Sequence, residues 1–182
     1  MSTPNSSARV LDAAALSDLI RNVSDYPKPG IQFKDITPVL SDAAGFASAV
    51  EQLALPFVGQ HIDTVLGIES RGFMFAAPIA LRLGAGFVPV RKPGKLPCPC
   101  DRAEYALEYG TDALEIHKDA IKRGARVLVV DDVIATGGTA AATVSLAKGQ
   151  GAEVVAATFF VELTFLGGAA KLDVPIRSLL RF

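Results

Sequence analysis

The chain has 182 residues, of which 50% are hydrophobic and 20% are charged, with a net charge of −1. This length predicts one domain with a substantial core, and the composition excludes a disordered protein. The nearly balanced charge gives no argument for nucleic-acid binding, and no apolar run approaches the roughly 20 residues that a membrane-spanning helix needs.

The N-terminal part is expected to be a tail followed by two helices. Residues 1–8 are polar and lack the features of a signal peptide, which predicts a disordered tail and a cytoplasmic protein. Apolar residues recur at helical spacing from about Arg9 to Ser24, which predicts a first helix. Ser41 and Asp42 can cap a second helix that ends near Pro56.

Buried strands and helices are expected to alternate along the rest of the chain. Strands are predicted at 64–68, 86–90, 126–130 and 153–161. An apolar helix follows Gly72, kinked or delayed by Pro78, and a helix of small residues runs from about Thr139 to Lys148. This alternation predicts an α/β fold with a parallel sheet and helices on its faces.

Two irregular regions lie between the second and third of these strands. Residues 91–101 are rich in Pro, Gly and cations and lack periodicity, which predicts a mobile loop. Residues 105–109 and 113–117 alternate apolar and polar side chains, which predicts a hairpin. Cys98 and Cys100 have no second pair for a zinc site, and a disulfide across one residue would be strained, so we expect free thiols.

The segment from Val127 to Thr139 carries the strongest functional signal. A hydrophobic run leads into Asp131 and Asp132, and a short loop of Ala, Thr and Gly then opens a helix. Ligands of open parallel sheets bind at the carboxyl ends of the strands. We therefore expect a ligand at these residues.

The two halves of this segment suit different chemical groups. Thr136 to Thr139 offers backbone N–H donors at a helix N-terminus, and Gly137 and Gly138 allow close approach, so this half suits a phosphate. The paired carboxylates would repel a phosphate but accept hydrogen bonds from the 2′,3′-diol of a ribose. A ribose 5-phosphate fits both halves. The glycine motifs of NTPase loops and dinucleotide sites are absent from the sequence.

This segment resembles the phosphoribosyl diphosphate signature of the type I phosphoribosyltransferases. Four more segments resemble the adenine phosphoribosyltransferases in order and spacing, and the likeness extends over nearly the whole chain from about Leu16. They are Tyr26–Pro38, Glu69–Phe73, Arg91–Pro97 and Leu107–Gly110.

The resemblance implies both a fold and an activity. The fold is Rossmann-like, with a mostly parallel central sheet flanked by helices in a single domain at 9–182. It includes a small N-terminal hood at about 9–40 and a mobile loop and hairpin over the site at about 91–117. The activity is purine salvage: adenine and phosphoribosyl diphosphate give AMP and pyrophosphate. Mg²⁺ would be held mainly by the substrate diphosphate and water, with no direct protein ligand. A homodimer is expected, and neither nucleic acid nor membrane is expected as a partner.

The resemblance also assigns roles to individual residues. Ribose hydroxyls would be held by Asp131 and Asp132, and the 5′-phosphate by Ala135, Thr136, Gly137, Gly138 and Thr139. The leaving diphosphate would face Arg71, Arg91 and Lys95. Adenine would be bound by Gln32, Phe33, Lys34 and Ile134, with Phe33 and Ile134 stacking on its ring. The expected catalytic residues are Arg71 and Glu108, the latter handling a proton at the imidazole edge of the purine.

Several alternatives remain open at this stage. The base could instead be hypoxanthine or guanine, xanthine or orotate. The chain could also be a regulator that binds phosphoribosyl diphosphate without turnover, although it lacks a basic nucleic-acid-binding surface by composition. Glu108 could be an exposed hairpin glutamate and Phe33 a core aromatic. Lys34 stands where many relatives carry Arg, and its ammonium group lacks the planar fork with which a guanidinium makes a bidentate contact.

Overall fold

The fold was analysed in a computed structural model that describes residues 10–106 and 110–182. The chain divides into two compact units, Met1–Gln52 and Leu53–Phe182. Within the described residues, no helix combines the length and the apolar composition that crossing a membrane requires.

The first unit begins with a helix that is shorter than predicted. Helix α1 spans Ala13–Leu19, and the Asp12 carboxylate caps it by accepting a hydrogen bond from Ala15 N at 2.8 Å. Strand β1, Arg21–Ser24, follows at once and pairs antiparallel with strand β2, Gln32–Asp35. The prediction of a helix as far as Ser24 is therefore wrong at its C-terminal end. Pairing with a strand eight residues further along overrides the helical spacing of the apolar side chains.

Two further helices complete the N-terminal region. Helix α2, Thr37–Ser41, was not predicted from the sequence; it carries a proline in its first turn, where a missing N–H costs little. Helix α3 spans Ala43–Ala54. Asp42 caps α3 as predicted, because its Oδ1 accepts a hydrogen bond from Gly45 N at 2.6 Å.

The second unit contains a five-stranded parallel sheet. In chain order its elements are strand β3 (Thr64–Ile68), helix α4 (Gly72–Leu83), strand β4 (Gly86–Val90), strands β5 (Cys100–Ala106) and β6 (Thr111–His117), strand β7 (Arg126–Ile134), helix α5 (Gly138–Gly149), strand β8 (Glu153–Glu162) and strand β9 (Ile176–Arg181). The sheet order is β4-β3-β7-β8-β9, and all four pairings are parallel. The predicted α/β class and the four predicted strands are confirmed.

Two features of the sheet differ from expectation. Strand β7 continues four residues beyond the predicted end at Val130, because residues up to Ile134 still pair with β8. Strand β9 was not predicted, since its sequence mixes exposed and half-buried positions and lacks a clear period. Helix α4 begins directly at Gly72 and runs through Pro78, so the proline does not delay it.

Adjacent phenylalanines on β8 pack on opposite sides of the sheet. Phe160 stacks on Phe75 of α4, with ring centroids 5.2 Å apart. Phe159 belongs to the hydrophobic cluster that includes Val144 of α5 and Leu114 of β6. Successive side chains of a strand point to opposite faces, so this pair anchors a helix on each side. Burying each of these phenylalanine side chains stabilises the folded state by about 1.5–3 kcal/mol.

The antiparallel pairing of the predicted hairpin is confirmed, but its first strand begins earlier. Strand β5 starts at Cys100, which pairs with His117, whereas the sequence predicted a start at 105. The end of the predicted loop at 91–101 is therefore strand. Arg91 also forms two backbone hydrogen bonds with Glu115, of 2.9 and 2.7 Å. Residues 107–109 of the predicted first strand lie outside the described residues, and the second strand begins at Thr111 rather than at 113. Both cysteines are free thiols, as predicted.

Candidate active site

The carboxyl ends of three neighbouring strands converge at one edge of the sheet. From β3 the chain crosses through α4 to β4 on one side, and from β7 it crosses through α5 to β8 on the other. The strand order thus reverses between β3 and β7, and a crevice forms at such a point in open α/β sheets. The residues that follow β3, β4 and β7 are the candidates for the site.

The two aspartates predicted to bind a sugar diol lie inside β7 rather than after it. Asp131 and Asp132 are 9% and 4% exposed. The backbone N–H of Asp132 donates to Asp131 Oδ1 at 2.9 Å. Arg71, which precedes α4, forms an ion pair from its Nε to Asp132 Oδ2 at 2.9 Å. The structure therefore brings together three of the predicted site residues.

Burial makes this carboxylate pair electrostatically costly. Desolvation, followed by the nearby charge of Asp132, raises the pKa of Asp131 well above its usual range. Desolvation also raises the pKa of Asp132, and the Arg71 guanidinium only partly opposes this effect. A site that binds ligand hydroxyls through these oxygens retains the two carboxylates, although burying them lowers the stability of the fold.

Gly72, which was not predicted as a site residue, allows α4 to approach the aspartates. A Cβ at this position would lie 2.7 Å from Asp131 Oδ1 and 2.9 Å from Val130 O, closer than side-chain carbons pack. Position 72 must therefore be glycine for Arg71 to come beside Asp132. The sequence signal was the glycine that directly follows the predicted arginine.

The predicted phosphate-binding residues, Ala135–Thr139, form the turn between β7 and α5. Gly137 is the residue before the helix and has φ +78°, a left-handed conformation that favours glycine. Helix α5 has 12 residues, and no side chain caps its N-terminus. The first N–H groups of a helix have no partner within it, so they are suited to bind an anion.

Gly168, which is distant in sequence, lies close to the backbone of this turn. A Cβ on Gly168 would lie 2.7 Å from Gly137 N and would clash with Ala135 O. Gly168 starts a short 3₁₀ helix, Gly168–Lys171, that follows β8. Sequence reasoning missed this residue because its contact partners lie about 30 positions earlier in the chain.

Two predicted cations meet at a carboxylate that the sequence analysis did not assign. Glu69, which follows β3, accepts hydrogen bonds from Arg91 Nε at 2.9 Å, Lys92 N at 2.7 Å and Lys95 Nζ at 2.8 Å. Burial opposes ionisation of Glu69, but these three donors outweigh it and lower the pKa to about 2. Glu69 thus brings together Arg91 and Lys95, two of the predicted site residues.

A second polar cluster joins the region after β4 to the hairpin. Lys92 Nζ donates to Tyr105 OH at 2.7 Å and forms an ion pair with Asp112. Tyr105 OH donates to Asp112 Oδ2 at 3.1 Å. The Tyr105 ring lies beside Gly138, where an added Cβ would meet it at 3.1 Å. The hairpin therefore lies against the N-terminus of α5.

The predicted adenine-binding residues of the first unit lie on β2. Phe33 is half-buried and contacts Tyr26 edge to face, with centroids 5.2 Å apart. It lines a cavity of about 240 Å³ together with Val23, Tyr26 and Asp35. Gln32 accepts a hydrogen bond from Ser24, and Lys34 Nζ donates to Asn22 Oδ1 at 2.7 Å. Phe33 is thus a cavity-lining aromatic rather than a fully buried one.

Ile134 and Glu108 are the two remaining predicted site residues. Ile134 ends β7, is 2% exposed and belongs to the hydrophobic cluster of the second unit. Glu108 lies outside the described residues. Among residues 10–106 and 110–182, no three His, Cys, Asp or Glu side chains form a cluster that could hold a metal ion.

The chain is similar to known proteins both in sequence and in fold. The phosphoribosyl transferase domain family matches residues 31–171. The chain is 56% identical over 169 residues to the adenine phosphoribosyltransferase of Sorangium cellulosum (strain So ce56), a match covering 90% of this chain and 84% of that protein. The crystal structure of adenine phosphoribosyltransferase from Thermoanaerobacter pseudethanolicus ATCC 33223 superposes with a TM-score of 0.90 at 53% identity, covering 93% of this chain and 99% of the other.

A third relative was solved with ligands. Adenine phosphoribosyltransferase from Saccharomyces cerevisiae, complexed with adenine and an imino-altritol bisphosphate, has a TM-score of 0.88 and 42% identity. The match covers 92% of this chain and 97% of that one.

Proposed function

Because the chain belongs to the adenine phosphoribosyltransferases of the phosphoribosyl transferase domain family, we infer that its site acts on adenine and phosphoribosyl diphosphate. The enzyme transfers the 5-phosphoribosyl group to adenine and releases AMP and pyrophosphate. The observation that carries this function is the segment from β7 to α5, which presents two buried carboxylates and then an uncapped helix N-terminus.

For the donor, we assign the two ends of this segment to different groups. Asp131 and Asp132 accept hydrogen bonds from the ribose 2′- and 3′-hydroxyls, and such charge-assisted bonds are short and strong. The backbone N–H groups from Ala135 to Thr139 hold the 5′-phosphate, with the α5 dipole adding to the attraction. Support comes from the left-handed Gly137, which lets the backbone curl around an anion.

For the leaving group, we assign Arg71, Arg91 and Lys95 to the diphosphate. These three cations follow β3 and β4 at the same edge of the sheet as the aspartates. As the C1′–O bond breaks, negative charge grows on the departing pyrophosphate while C1′ becomes oxocarbenium-like. Fixed cations stabilise that developing charge, and the nearby carboxylates tolerate the positive carbon.

For the base, we propose that Phe33 stacks on the adenine ring and that groups around Gln32 and Lys34 select the 6-amino edge. Support for this comes from the cavity beside Phe33. A site built to hydrogen-bond one exocyclic group rejects the analogue that lacks it. Contact of Ile134 with the purine and proton acceptance by Glu108 remain proposals from the family resemblance.

These residues are compatible with a Mg²⁺ ion that binds together with the donor. Asp132 is already paired with Arg71, and the described residues bring no third metal-binding side chain to the aspartates. We propose that diphosphate oxygens, ribose hydroxyls and water hold the ion, as is usual for Mg²⁺ with phosphate substrates. When bound there, the ion neutralises charge on the leaving diphosphate. A homodimer and a cytoplasmic location likewise remain proposals.

The test of the activity is a panel of bases with phosphoribosyl diphosphate and Mg²⁺, read out as pyrophosphate release. Adenine is expected to react with kcat/KM at least about 100-fold above hypoxanthine and orotate, since a mismatched exocyclic group leaves a site hydrogen bond unmade. Pyrophosphate release with hypoxanthine or orotate but not with adenine would disprove the substrate. Donor binding without turnover of any base would instead indicate a regulator.

A further inference from the structure

Glu69 is the common partner of the groups assigned to the leaving diphosphate. Its Oε2 accepts hydrogen bonds from Arg91 Nε and Lys92 N, and its Oε1 accepts one from Lys95 Nζ. The Glu69 side chain is only 10% exposed, whereas those of Arg91 and Lys95 are 30% and 51% exposed. A carboxylate that is mostly shielded from solvent thus holds two cations that are more exposed.

These contacts hold the cations without using up their binding capacity. The ion pair with Glu69 is made through Arg91 Nε, and a guanidinium carries further N–H donors on its two terminal amino groups. Lys95 carries three N–H donors, and Glu69 takes one of them. Both cations can therefore keep their bond to Glu69 while they bind phosphate oxygens.

Arg91 is also fixed on its other sides. Its guanidinium carbon lies 5.7 Å from the centre of the Phe73 ring, a cation–π arrangement. Its backbone pairs with Glu115, whose carboxylate accepts a hydrogen bond from Gly94 N at 2.9 Å. The segment between the two cations is thus held at Glu69 and again at Glu115.

We propose that Glu69 is a positioning residue, which assembles Arg91 and Lys95 for the diphosphate before the donor binds. This rests on the proposed function, which assigns those cations to the leaving group. As an anion, Glu69 would by itself repel a diphosphate. The geometry favours positioning instead, because three N–H donors, two of them cationic, balance its charge and its side chain is less exposed than those of the cations. Preorganised cations stabilise a developing charge without reorganising at the moment of reaction.

The test is pyrophosphate binding with Mg²⁺, measured by calorimetry on the full chain carrying Glu69→Gln. The glutamine keeps one acceptor oxygen but loses the negative charge, and its NH₂ group would face an N–H donor at the position of the other carboxylate oxygen. The Kd for pyrophosphate and the KM for phosphoribosyl diphosphate are expected to rise about tenfold, the effect of losing one charge-assisted hydrogen bond, while the KM for adenine stays unchanged. A bystander anion predicts the opposite sign, because its removal would tighten pyrophosphate binding.

Two further variants complete the design. Glu104→Gln removes an exposed hairpin carboxylate and is the matched control, expected to leave pyrophosphate binding unchanged. Combined with Lys95→Gln, Glu69→Gln should lose less affinity than the sum of the single changes, because both act on one contact. If Glu69→Gln does not fold, Glu69→Asp keeps the charge but shortens the reach, and should still weaken binding severalfold.

The outcomes separate this proposal from the proposed function. If wild-type protein binds pyrophosphate and Lys95→Gln weakens it, but Glu69→Gln binds equally or more tightly, Glu69 is not a positioning residue. If wild-type protein does not bind pyrophosphate and turns over no base, the proposed function itself fails.

Discussion

Single residues of the site combine binding capacity with a cost in stability. Asp131 is the clearest example, because burial and Asp132 raise its pKa. For a carboxyl group whose folded-state pKa is raised, the folded state is favoured when the group is protonated. That contribution is complete below the ordinary Asp pKa of about 4 and is lost as the pH rises through the folded-state value.

We therefore expect Asp131→Asn to be more stable than the wild type and a poorer binder. At pH 7 its free energy of unfolding should rise by about 0.5–2 kcal/mol, and the difference should shrink as the pH falls towards 4. Its affinity for phosphoribosyl diphosphate should fall roughly 10- to 100-fold, since hydrogen bonds to a charged acceptor are lost. Urea unfolding across pH and calorimetry with the donor measure both effects.

The matched control is Asp119→Asn, which changes an exposed aspartate of the same unit. It should alter neither quantity measurably. A loss of stability in Asp131→Asn, or unchanged donor affinity, would contradict the assignment of this carboxylate to the sugar.

At the scale of elements, the turn from β7 to α5 depends on the backbone packed behind it. The 3₁₀ helix Gly168–Lys171 approaches this turn so closely that only a residue without a Cβ fits at its first position. The anion-binding N–H groups are thus placed by two elements that are separate in sequence. Residues outside the signature segment should therefore affect donor affinity.

Gly168→Ala is expected to displace the turn and weaken donor binding. The added methyl group would press on Ala135 O and Gly137 N, so the affinity for phosphoribosyl diphosphate should fall about tenfold or more. The free energy of unfolding should fall by about 1–3 kcal/mol, because overpacking destabilises the folded state. Isothermal titration calorimetry with the donor measures the loss of affinity.

Gly149→Ala is the matched control for this change. Gly149 ends α5, and a Cβ there would meet no atom within 4 Å. This variant should bind the donor as the wild type does. Equal donor affinity in both variants would mean that Gly168 has no part in shaping the turn.

At the scale of the whole molecule, donor binding should report on folding. A ligand that binds only the folded state at about 100 times its Kd adds roughly 2.7 kcal/mol, which for a chain of this length corresponds to a Tm increase of roughly 5–10 °C. Thermal unfolding with and without phosphoribosyl diphosphate and Mg²⁺ measures this shift. Asp131→Asn with Asp132→Asn should abolish it at the same donor concentration, and an unchanged shift would place the donor elsewhere.

Much of the fold was predictable because its signals are local. The strands at 64–68 and 86–90 matched to the residue, since each is an apolar run bounded by turn residues. Strand β1 was mistaken for helix, because a short exposed strand takes its conformation from its partner rather than from its own side-chain pattern. Strand β9 was missed because it mixes exposed and half-buried positions and has no clear period.

The amino-acid sequence by itself determined the α/β class, the donor signature at Asp131–Thr139 and the family, because residue order along one strand, turn and helix specifies them. Only the tertiary structure revealed that Glu69 collects the cations of the loop, that Gly72 and Gly168 permit close approaches, and that Lys92 pairs with Tyr105 and Asp112. These contacts join strand ends and turns far apart in the chain. The sheet topology brings these residues together, and no local sequence pattern specifies contacts between residues so far apart in the chain.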